Sequence, residues 1–299
     1  MSVPTPSLRV PLAARGNPVL AEEEAPLLSV ENLSRSFGSG CSYCASPDAE
    51  LERNFCPRCG TIHALRAISL EVYQGEIIGI VGESGSGKST LMQCLYFDQP
   101  ANSGRITTSL INEGAFNLLD CSPQQKRAIR NTIFGMVYQN PWLGLRMDFS
   151  ALSNIAEQMI ASGNRQVEAM RSRGLSLLSQ VNIPLRRAAD APRTFSGGMQ
   201  QRVQIAKALS NNPPVLLLDE VTTGLDLSVQ ATVLDIIVRL RRDLDVSMVV
   251  VSHDLAVIRM LAQRTFVMLD GRIIECGLTD QILEDPQHCY TQQLVHSLL

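Results

Sequence analysis

The run GESGSGKST, residues 82–90, joins an apolar segment, EIIGIVG, to a segment with helical character, STLMQCLYF. A glycine-rich loop between a strand and a helix leaves backbone N–H groups free to point at phosphate oxygens, and the start of the helix adds a favourable dipole. The spacing of Gly82, Gly87, Lys88 and Ser89 fits a P-loop in the context that such a loop requires. A chance glycine-rich turn is the alternative interpretation. The run predicts a nucleotide site in a fold of alternating strands and helices.

Individual residues of this loop have distinct expected roles. Lys88 is expected to reach the β- and γ-phosphates of ATP, and the Ser89 hydroxyl is expected to ligate Mg²⁺. The residues predicted to contact the nucleotide here are Gly82, Glu83, Ser84, Gly85, Ser86, Gly87, Lys88, Ser89 and Thr90.

A second apolar run, PVLLLDE (residues 214–220), ends in two carboxylates. It would place Asp219 at the carboxyl end of a buried strand, where ligands bind in open α/β sheets. Asp219 could then hold Mg²⁺, while Glu220 could polarise a water molecule for in-line attack on the γ-phosphate. On its own, such a pair is often only a solvated strand end. The P-loop makes the functional interpretation the stronger one.

Two further apolar runs, at residues 246–254 and 264–271, have the composition of strands buried on both faces of a parallel sheet. Helical spacing recurs between the runs, with Asp226 available to cap one helix. This alternation predicts an α/β fold with a mostly parallel sheet. Residues 140–195 contain amphipathic helices but no comparable strand, which predicts a helical subdomain there.

Additional motifs resemble those of the ATP-binding-cassette (ABC) ATPases. FSGGMQQR (residues 195–202) resembles the signature loop, and TTGLD (222–226) resembles the D-loop. VSHD (251–254) resembles the switch-histidine motif, and Gln139 in VYQNP matches the glutamine of the Q-loop. With the P-loop and VLLLDE, these motifs follow the order of the family from about Leu27 to the end of the chain.

This resemblance implies a P-loop NTPase fold with a RecA-like mixed, mostly parallel sheet, an antiparallel β subdomain and an inserted α-helical subdomain. It also implies ATP hydrolysis in a head-to-tail dimer with a second copy of the chain or with a related ABC subunit, because a P-loop and a signature loop of one chain cannot easily reach the same nucleotide. The implied roles are adenine stacking for Phe37, Mg²⁺ ligation and catalysis for Gln139, γ-phosphate contacts for Ser196, Gly197 and Gly198, nucleotide contact for Asp226, and orientation of the attacking water for His253. Outside this context, a strand-end histidine or a lone aromatic residue is more often structural.

One position departs from the family pattern, since Val221 stands where the family usually has proline after the catalytic glutamate. Proline restricts its turn, so its absence is expected to loosen the D-loop. No loss of Mg²⁺ binding or base chemistry is expected, because neither role uses that side chain.

Residues 38–62, the cysteine insert, contain two Cys-x-x-Cys pairs, Cys41 with Cys44 and Cys56 with Cys59. Four cysteines in two closely spaced pairs are typical of a structural, tetrahedral Zn²⁺ site. An iron–sulfur cluster or free thiols are the alternatives. A catalytic metal is disfavoured, because four thiolates leave no open position. The insert could be a stapled loop, a docking knob for a partner subunit, or a cap beside the adenine pocket.

The chain resembles two subgroups of this family. The segments YQNPWLGLRMDFSALSNIAEQM and GLTDQILEDPQHCYTQQLV look closer to the ATP-binding protein of the carbon–phosphorus lyase system, which implies docking on the lyase core complex during alkylphosphonate breakdown. The stretch DPQHCYTQQLVHSLL also resembles the ATPases of oligopeptide importers, which would pair with a membrane permease. A nucleotide-dependent assembly factor with little turnover is a third hypothesis, and Glu220 argues against it.

Composition and charge argue against some other classes of function. The formal net charge is −3 with no dense Lys/Arg run, which disfavours sequence-independent binding of nucleic acid. No apolar run approaches the roughly 20 residues that span a bilayer. Residues 1–26 are broken by five prolines and lack the apolar core of a signal peptide, so we expect a disordered tail ahead of one ABC domain at 27–299, and a cytoplasmic protein. In that compartment, thiols or metal ligands are expected rather than disulfides.

Overall fold

The computed structural model describes residues 25–46 and 50–296. The predicted tail at residues 1–26 lies outside the described residues, apart from its last two positions. The strands are β1 (Leu28–Phe37), β2 (Ile62–Val72), β3 (Ile77–Val81), β4 (Ser103–Thr108), β5 (Phe134–Val137), β6 (Val215–Asp219), β7 (Ser247–Val251), β8 (Arg264–Leu269) and β9 (Arg272–Leu278). The helices are α1 (Lys88–Leu95), α2 (Pro123–Thr132), α3 (Pro141–Gly144), α4 (Ala151–Ala161), α5 (Val167–Gln180), α6 (Gly197–Ala208), α7 (Leu227–Leu244), α8 (Leu255–Leu261), α9 (Thr279–Glu284) and α10 (Cys289–His296).

A six-stranded sheet in the order β5-β6-β7-β3-β8-β9 forms the centre of the fold. The pairs from β5 to β8 are parallel, and only β9 runs antiparallel to its neighbour. Every residue of β3, β6 and β7 is buried, because helices cover both faces of a parallel sheet. Three of the apolar runs that were predicted to be buried strands form β3, β6 and β7, and the fourth forms β8. The predicted α/β class is therefore confirmed.

A second, antiparallel sheet has the order β2-β1-β4. Strand β1 pairs with β2 from Leu28–Val72 to Phe37–Ile62, and the cysteine insert therefore leaves and rejoins the sheet at one end of this pair. The apolar side chains of this sheet pack with β3 and α1 in one buried cluster. Its position brings the insert toward the amino end of α1.

Three helices, α3, α4 and α5, lie between Pro141 and Gln180 and contact α6. Glu157 on α4 accepts hydrogen bonds from Arg146 at 2.6 Å and from Lys207 on α6 at 2.8 Å. The buried Asn154 donates to three backbone carbonyl oxygens and accepts from the N–H of Arg146, which fixes the turn before α4. The segment at 140–195 that was predicted to be helical contains helices and turns.

The longest helix, α7, has 18 residues and buries one stripe against the sheet. Val233, Ile236, Ile237 and Leu240 form this stripe, and Asp226 caps the helix as its sequence pattern predicts. None of the helices in residues 25–46 and 50–296 combines the length and the hydropathy that a membrane span requires.

Candidate nucleotide site

The glycine-rich loop connects β3 to α1 at the carboxyl edge of the parallel sheet. Two of its glycines cannot be replaced without moving the backbone. A Cβ on Gly82, whose φ is +148°, would lie 2.1 Å from the carbonyl oxygen of Met268. A Cβ on Gly87, whose φ is +104°, would lie 2.2 Å from the carbonyl oxygen of Ala64. Strand β2 and the end of β8 thus hold the loop in its bent shape.

Lys88 begins α1 and is 5% exposed. Its Nζ donates to the carbonyl oxygens of Gly82 and Glu83, both at 2.8 Å. Burial lowers the pKa of this ammonium group, although the carboxylates of Glu220, Asp219 and Glu83 oppose that shift. A buried cation bonded to carbonyl oxygens at the mouth of a loop is suited to an anionic ligand.

The Ser89 hydroxyl donates to Oδ1 of Asp219 at 3.1 Å, so the P-loop and the end of β6 meet as predicted from the two motifs. Asp219 is 5% exposed, and burial raises the pKa of its carboxyl group to about 6. A hydroxyl and a carboxylate side by side are the oxygen ligands that Mg²⁺ prefers, so these residues fit the ion. The side chain of Gln139, the third predicted ligand, instead bonds Glu220.

Three polar groups surround the carboxylate of Glu220. Its Oε2 accepts from Nε2 of Gln139 at 2.9 Å and from the Thr223 hydroxyl at 3.2 Å. Nδ1 of His253 lies 3.4 Å from the same oxygen. Three motifs that are far apart in the sequence therefore meet at one oxygen atom.

The backbone of Glu220 has a φ of +46°, in the left-handed region. A proline at position 221 would disfavour helical conformations of the residue before it, whereas Val221 does not impose that restriction. Val221 itself is 3% exposed, and the N–H of Thr223 donates to the carbonyl oxygen of Glu220. Loosening of the D-loop by the missing proline stays a prediction.

The signature residues lie at the amino end of α6. The Ser196 side chain caps the helix by accepting from the N–H of Met199 at 3.4 Å. A Cβ on Gly198 would lie 2.1 Å from a methyl group of Val229 on α7, so this turn packs tightly against the helix after the D-loop. Asp226, which caps α7, accepts from the N–H of Val229 at 3.0 Å.

Phe37 lies at the end of β1 and is 38% exposed. The guanidinium carbon of Arg35 lies 4.6 Å from the centre of its ring. This partial exposure suits the stacking role that the sequence resemblance implies.

The four insert cysteines converge in the structure. Their sulfur atoms all lie within 4.8 Å of one another, with Cys41 3.7 Å from Cys44 and 3.9 Å from Cys56, and Cys44 3.7 Å from Cys59. Thiolates at ~2.3 Å from a tetrahedral zinc ion have S–S edges of about 3.8 Å, so the sulfur atoms fit this ion. Among the described residues, these cysteines are the one group of His, Cys, Asp and Glu ligands close enough to share a metal.

The sequence did not reveal two residues that support this site. The buried amide of Gln204 on α6 accepts from the N–H of Tyr138 at 2.9 Å and donates to the carbonyl oxygen of Tyr138 at 3.0 Å, which fixes the chain just before Gln139. The available signal was the position of Gln204 between the apolar residues Val203 and Ile205 of α6. The Tyr290 hydroxyl accepts from the N–H of Glu83 at 2.8 Å, and no local pattern indicates this long-range contact.

The P-loop, the buried Lys88, the Ser89–Asp219 pair and the cluster around Glu220 together define a P-loop nucleotide hydrolase. The family model of the ABC transporter matches residues 65–223. The chain belongs to this family and is an ABC ATPase, a hydrolase of ATP that acts with Mg²⁺.

Individual relatives support this assignment. The phosphonates utilization ATP-binding protein PhnK of Escherichia coli (strain K12) is 40% identical over 276 residues, which are 92% of this chain and 98% of PhnK. The dipeptide transport ATP-binding protein DppD of Bacillus subtilis (strain 168) is 36% identical over 241 residues, covering 80% of this chain and 72% of DppD. The dimeric ATP-binding cassette MJ0796, bound to ADP and Pi, superposes with a TM-score of 0.70 at 27% identity, over 84% of this chain and 98% of that cassette.

Proposed function

We propose that this ATPase serves alkylphosphonate breakdown by docking on the core complex of the carbon–phosphorus lyase system. The observation that supports this most is the 40% identity to PhnK across 98% of that protein. The dipeptide and oligopeptide transport relatives DppD and OppD of B. subtilis are 36% identical, over 72% and 67% of their lengths. ATP-driven closing and opening of a dimer would remodel the core complex, while the core complex itself breaks the carbon–phosphorus bond.

For the hydrolytic step, we assign Glu220 as the general base. Its carboxylate accepts a proton from water as the water attacks the γ-phosphate in line, and the β–γ bridging oxygen leaves with ADP. His253 and Gln139 contact this carboxylate, so both are placed to orient the attacking water. Ser89 and Asp219 would hold Mg²⁺, which neutralises charge on the phosphate oxygens.

A head-to-tail dimer completes the proposed site. ABC cassettes form dimers, as the dimeric MJ0796 structures show for that protein. In this arrangement the first turn of α6, with Ser196, Gly197 and Gly198, contributes backbone N–H donors to the γ-phosphate held by the P-loop of the other subunit. Phe37 stacks on the adenine, and Asp226 positions the D-loop by capping α7.

For the cysteine insert, we propose a structural Zn²⁺ ion held by Cys41, Cys44, Cys56 and Cys59. The S–S distances of 3.7–3.9 Å support this assignment. The Thr61 hydroxyl lies 3.2 Å from the Cys59 sulfur, within hydrogen-bonding distance of a thiolate, which is the form that a metal requires.

The zinc assignment predicts that the purified chain carries about one zinc ion. Elemental analysis by mass spectrometry measures this directly. The double variant C41S/C44S is expected to lose the metal, because only two thiolates remain. Cys276→Ser changes an exposed thiol outside the insert and is the matched control, with its zinc retained. Iron, or no metal, in the parent protein would contradict the zinc site.

The partner is tested by affinity purification of the tagged chain from its native host grown on methylphosphonate, with ATP and Mg²⁺ present, followed by mass spectrometry. We expect subunits of the carbon–phosphorus lyase core to copurify. The same bait from cells grown on inorganic phosphate is the control for nonspecific capture. Recovery of a membrane permease instead would overturn the lyase assignment. It would favour the peptide-importer alternative, which the similarity to DppD and OppD supports.

A further inference from the structure

The cysteine insert touches the P-loop through a tight turn. Glu52 and Phe55 exchange two backbone hydrogen bonds, at 2.9 and 3.0 Å, which leaves Arg53 and Asn54 as the two residues of the turn. Arg53 has a φ of +59°, as such a turn requires. The tip of the insert therefore presents two polar side chains in a defined geometry.

Both side chains of this turn contact the P-loop. Nη1 of Arg53 lies 3.6 Å from Oε1 of Glu83, and Nδ2 of Asn54 donates to the carbonyl oxygen of Gly85 at 3.4 Å. Glu83 and Gly85 stand on either side of Ser84, at the exposed tip of the loop. The insert therefore contacts the P-loop on both sides of the exposed Ser84.

The metal site adjoins this turn directly. Cys56 follows Phe55 and is fully buried, and its backbone N–H donates to the carbonyl oxygen of Thr61 at 2.8 Å. Phe55 also forms a bridge with Ile62, the first residue of β2. One end of the turn is therefore fixed to the sheet and to a cysteine ligand, so a metal ion on the four sulfurs would restrict the positions of Arg53 and Asn54.

Two physical effects connect this turn to nucleotide binding. A glycine-rich loop loses conformational entropy when it closes around phosphates, and contacts that order the loop beforehand reduce that loss. In addition, Glu83 brings a negative charge to a loop that must accept a polyanion. The guanidinium of Arg53 offsets this charge. Both effects favour ATP binding when the turn is in place.

We propose that the cysteine insert is a metal-dependent clamp on the P-loop, in which Arg53 and Asn54 raise the affinity for ATP. The metal dependence rests on the zinc site proposed above. The contacts of the turn are observed independently of any metal. Loss of zinc, or oxidation of its thiolates by a disulfide-forming oxidant, would release the turn and weaken nucleotide binding.

The test is a calorimetric titration of the full, purified chain with the nonhydrolysable analogue AMP-PNP and Mg²⁺. R53A/N54A is expected to raise Kd about three- to tenfold, since two exposed polar contacts are lost, and to leave the zinc content unchanged. Arg58→Ala is the matched control. Its guanidinium lies 3.9 Å from the ring of Tyr43 within the same insert, and we expect an unchanged Kd.

The metal dependence is tested by combining changes. C56S/C59S should lose zinc and raise Kd for AMP-PNP as much as R53A/N54A does. Adding R53A/N54A to C56S/C59S should cause no further rise, because both sets of substitutions remove the same contacts with the P-loop. Zinc removal from the parent protein with a chelator provides a second route if C56S/C59S folds poorly. An unchanged Kd for R53A/N54A would overturn the clamp. A purified chain without metal would contradict the zinc site and the metal dependence of the clamp. In that case the Kd of R53A/N54A would still test whether the contacts of the turn raise the affinity for ATP.

Discussion

Replacing Glu220 with Gln is expected to lower kcat for ATP hydrolysis by about 10²–10⁴-fold, which is the usual contribution of a general base. The carboxylate oxygen of Glu220 lies 2.9 Å from the Gln139 amide and 3.4 Å from His253. The Gln side chain is almost the same size as that of Glu, so the substitution preserves the packing of this cluster. The amide of Gln cannot accept a proton from water. Steady-state phosphate release measures the loss of kcat.

Binding of ATP should survive this change. Lys88 and the P-loop backbone are untouched, so we expect Kd for the Mg²⁺ complex of ATP to stay within about threefold of the parent value. Glu284→Gln is a suitable control, because that carboxylate pairs with Arg259 on the surface at 2.9 Å. Turnover at the parent rate in Glu220→Gln would show that another group is the base. A parent protein that binds ATP with negligible turnover would instead favour a nucleotide-dependent assembly factor.

Replacing Lys88 with Ala is expected to weaken ATP binding by about 10²-fold or more. The ammonium group is held inside the loop by the carbonyl oxygens of Gly82 and Glu83, both 2.8 Å away, and it faces the place where the phosphates would bind. A charged hydrogen bond contributes about 1.5–3 kcal/mol, and about 2.8 kcal/mol corresponds to a hundredfold change in Kd. Calorimetric titration with AMP-PNP measures the loss.

Lys126→Ala is the matched control for this prediction. Nζ of Lys126 donates to the carbonyl oxygen of Leu119, away from the P-loop, so its removal should leave Kd for AMP-PNP unchanged. Thermal unfolding of both variants without nucleotide separates lost binding from lost folding. Near-parental affinity in a folded Lys88→Ala protein would contradict the role assigned to this lysine.

Much of the fold was predictable from local patterns. The runs that became β3, β6, β7 and β8 are apolar along most of their lengths, because strands buried on both faces have no polar side to alternate with. Strands β4, β5 and β9 were not predicted. Strand β4 buries only its last three residues. The four residues of β5 are too short to stand out, and β9 is a partly exposed edge strand with mixed composition. Strand β5 pairs with β6, which is distant in the sequence. Strand β9 instead pairs with the preceding β8 through a two-residue turn, Asp270 and Gly271, which was an available local signal.

The candidate site residues were chosen from motifs, whereas their contacts could not be predicted in that way. Sequence order indicated Gln139, Glu220 and His253 separately, and the structure brings all three to one carboxylate oxygen. At the expected Mg²⁺ site, the Ser89 hydroxyl pairs with Asp219. Gln139, the third predicted ligand of that ion, bonds Glu220 instead. Side chains on different strands meet only once the sheet has its order, so their distances are not encoded in any single segment.

The cysteine insert shows the same division. Two Cys-x-x-Cys pairs predicted a four-sulfur site from the sequence alone, because the spacing within each pair is a local property that sets how two thiolates turn toward one ion. The contacts of Arg53 with Glu83 and of Asn54 with Gly85 were beyond the reach of the sequence. They join residues about thirty positions apart, through the pairing of β1 with β2 and the packing of that sheet beside α1. Local chemistry was thus determined by the sequence, and only tertiary packing decided that the insert lies against the nucleotide loop.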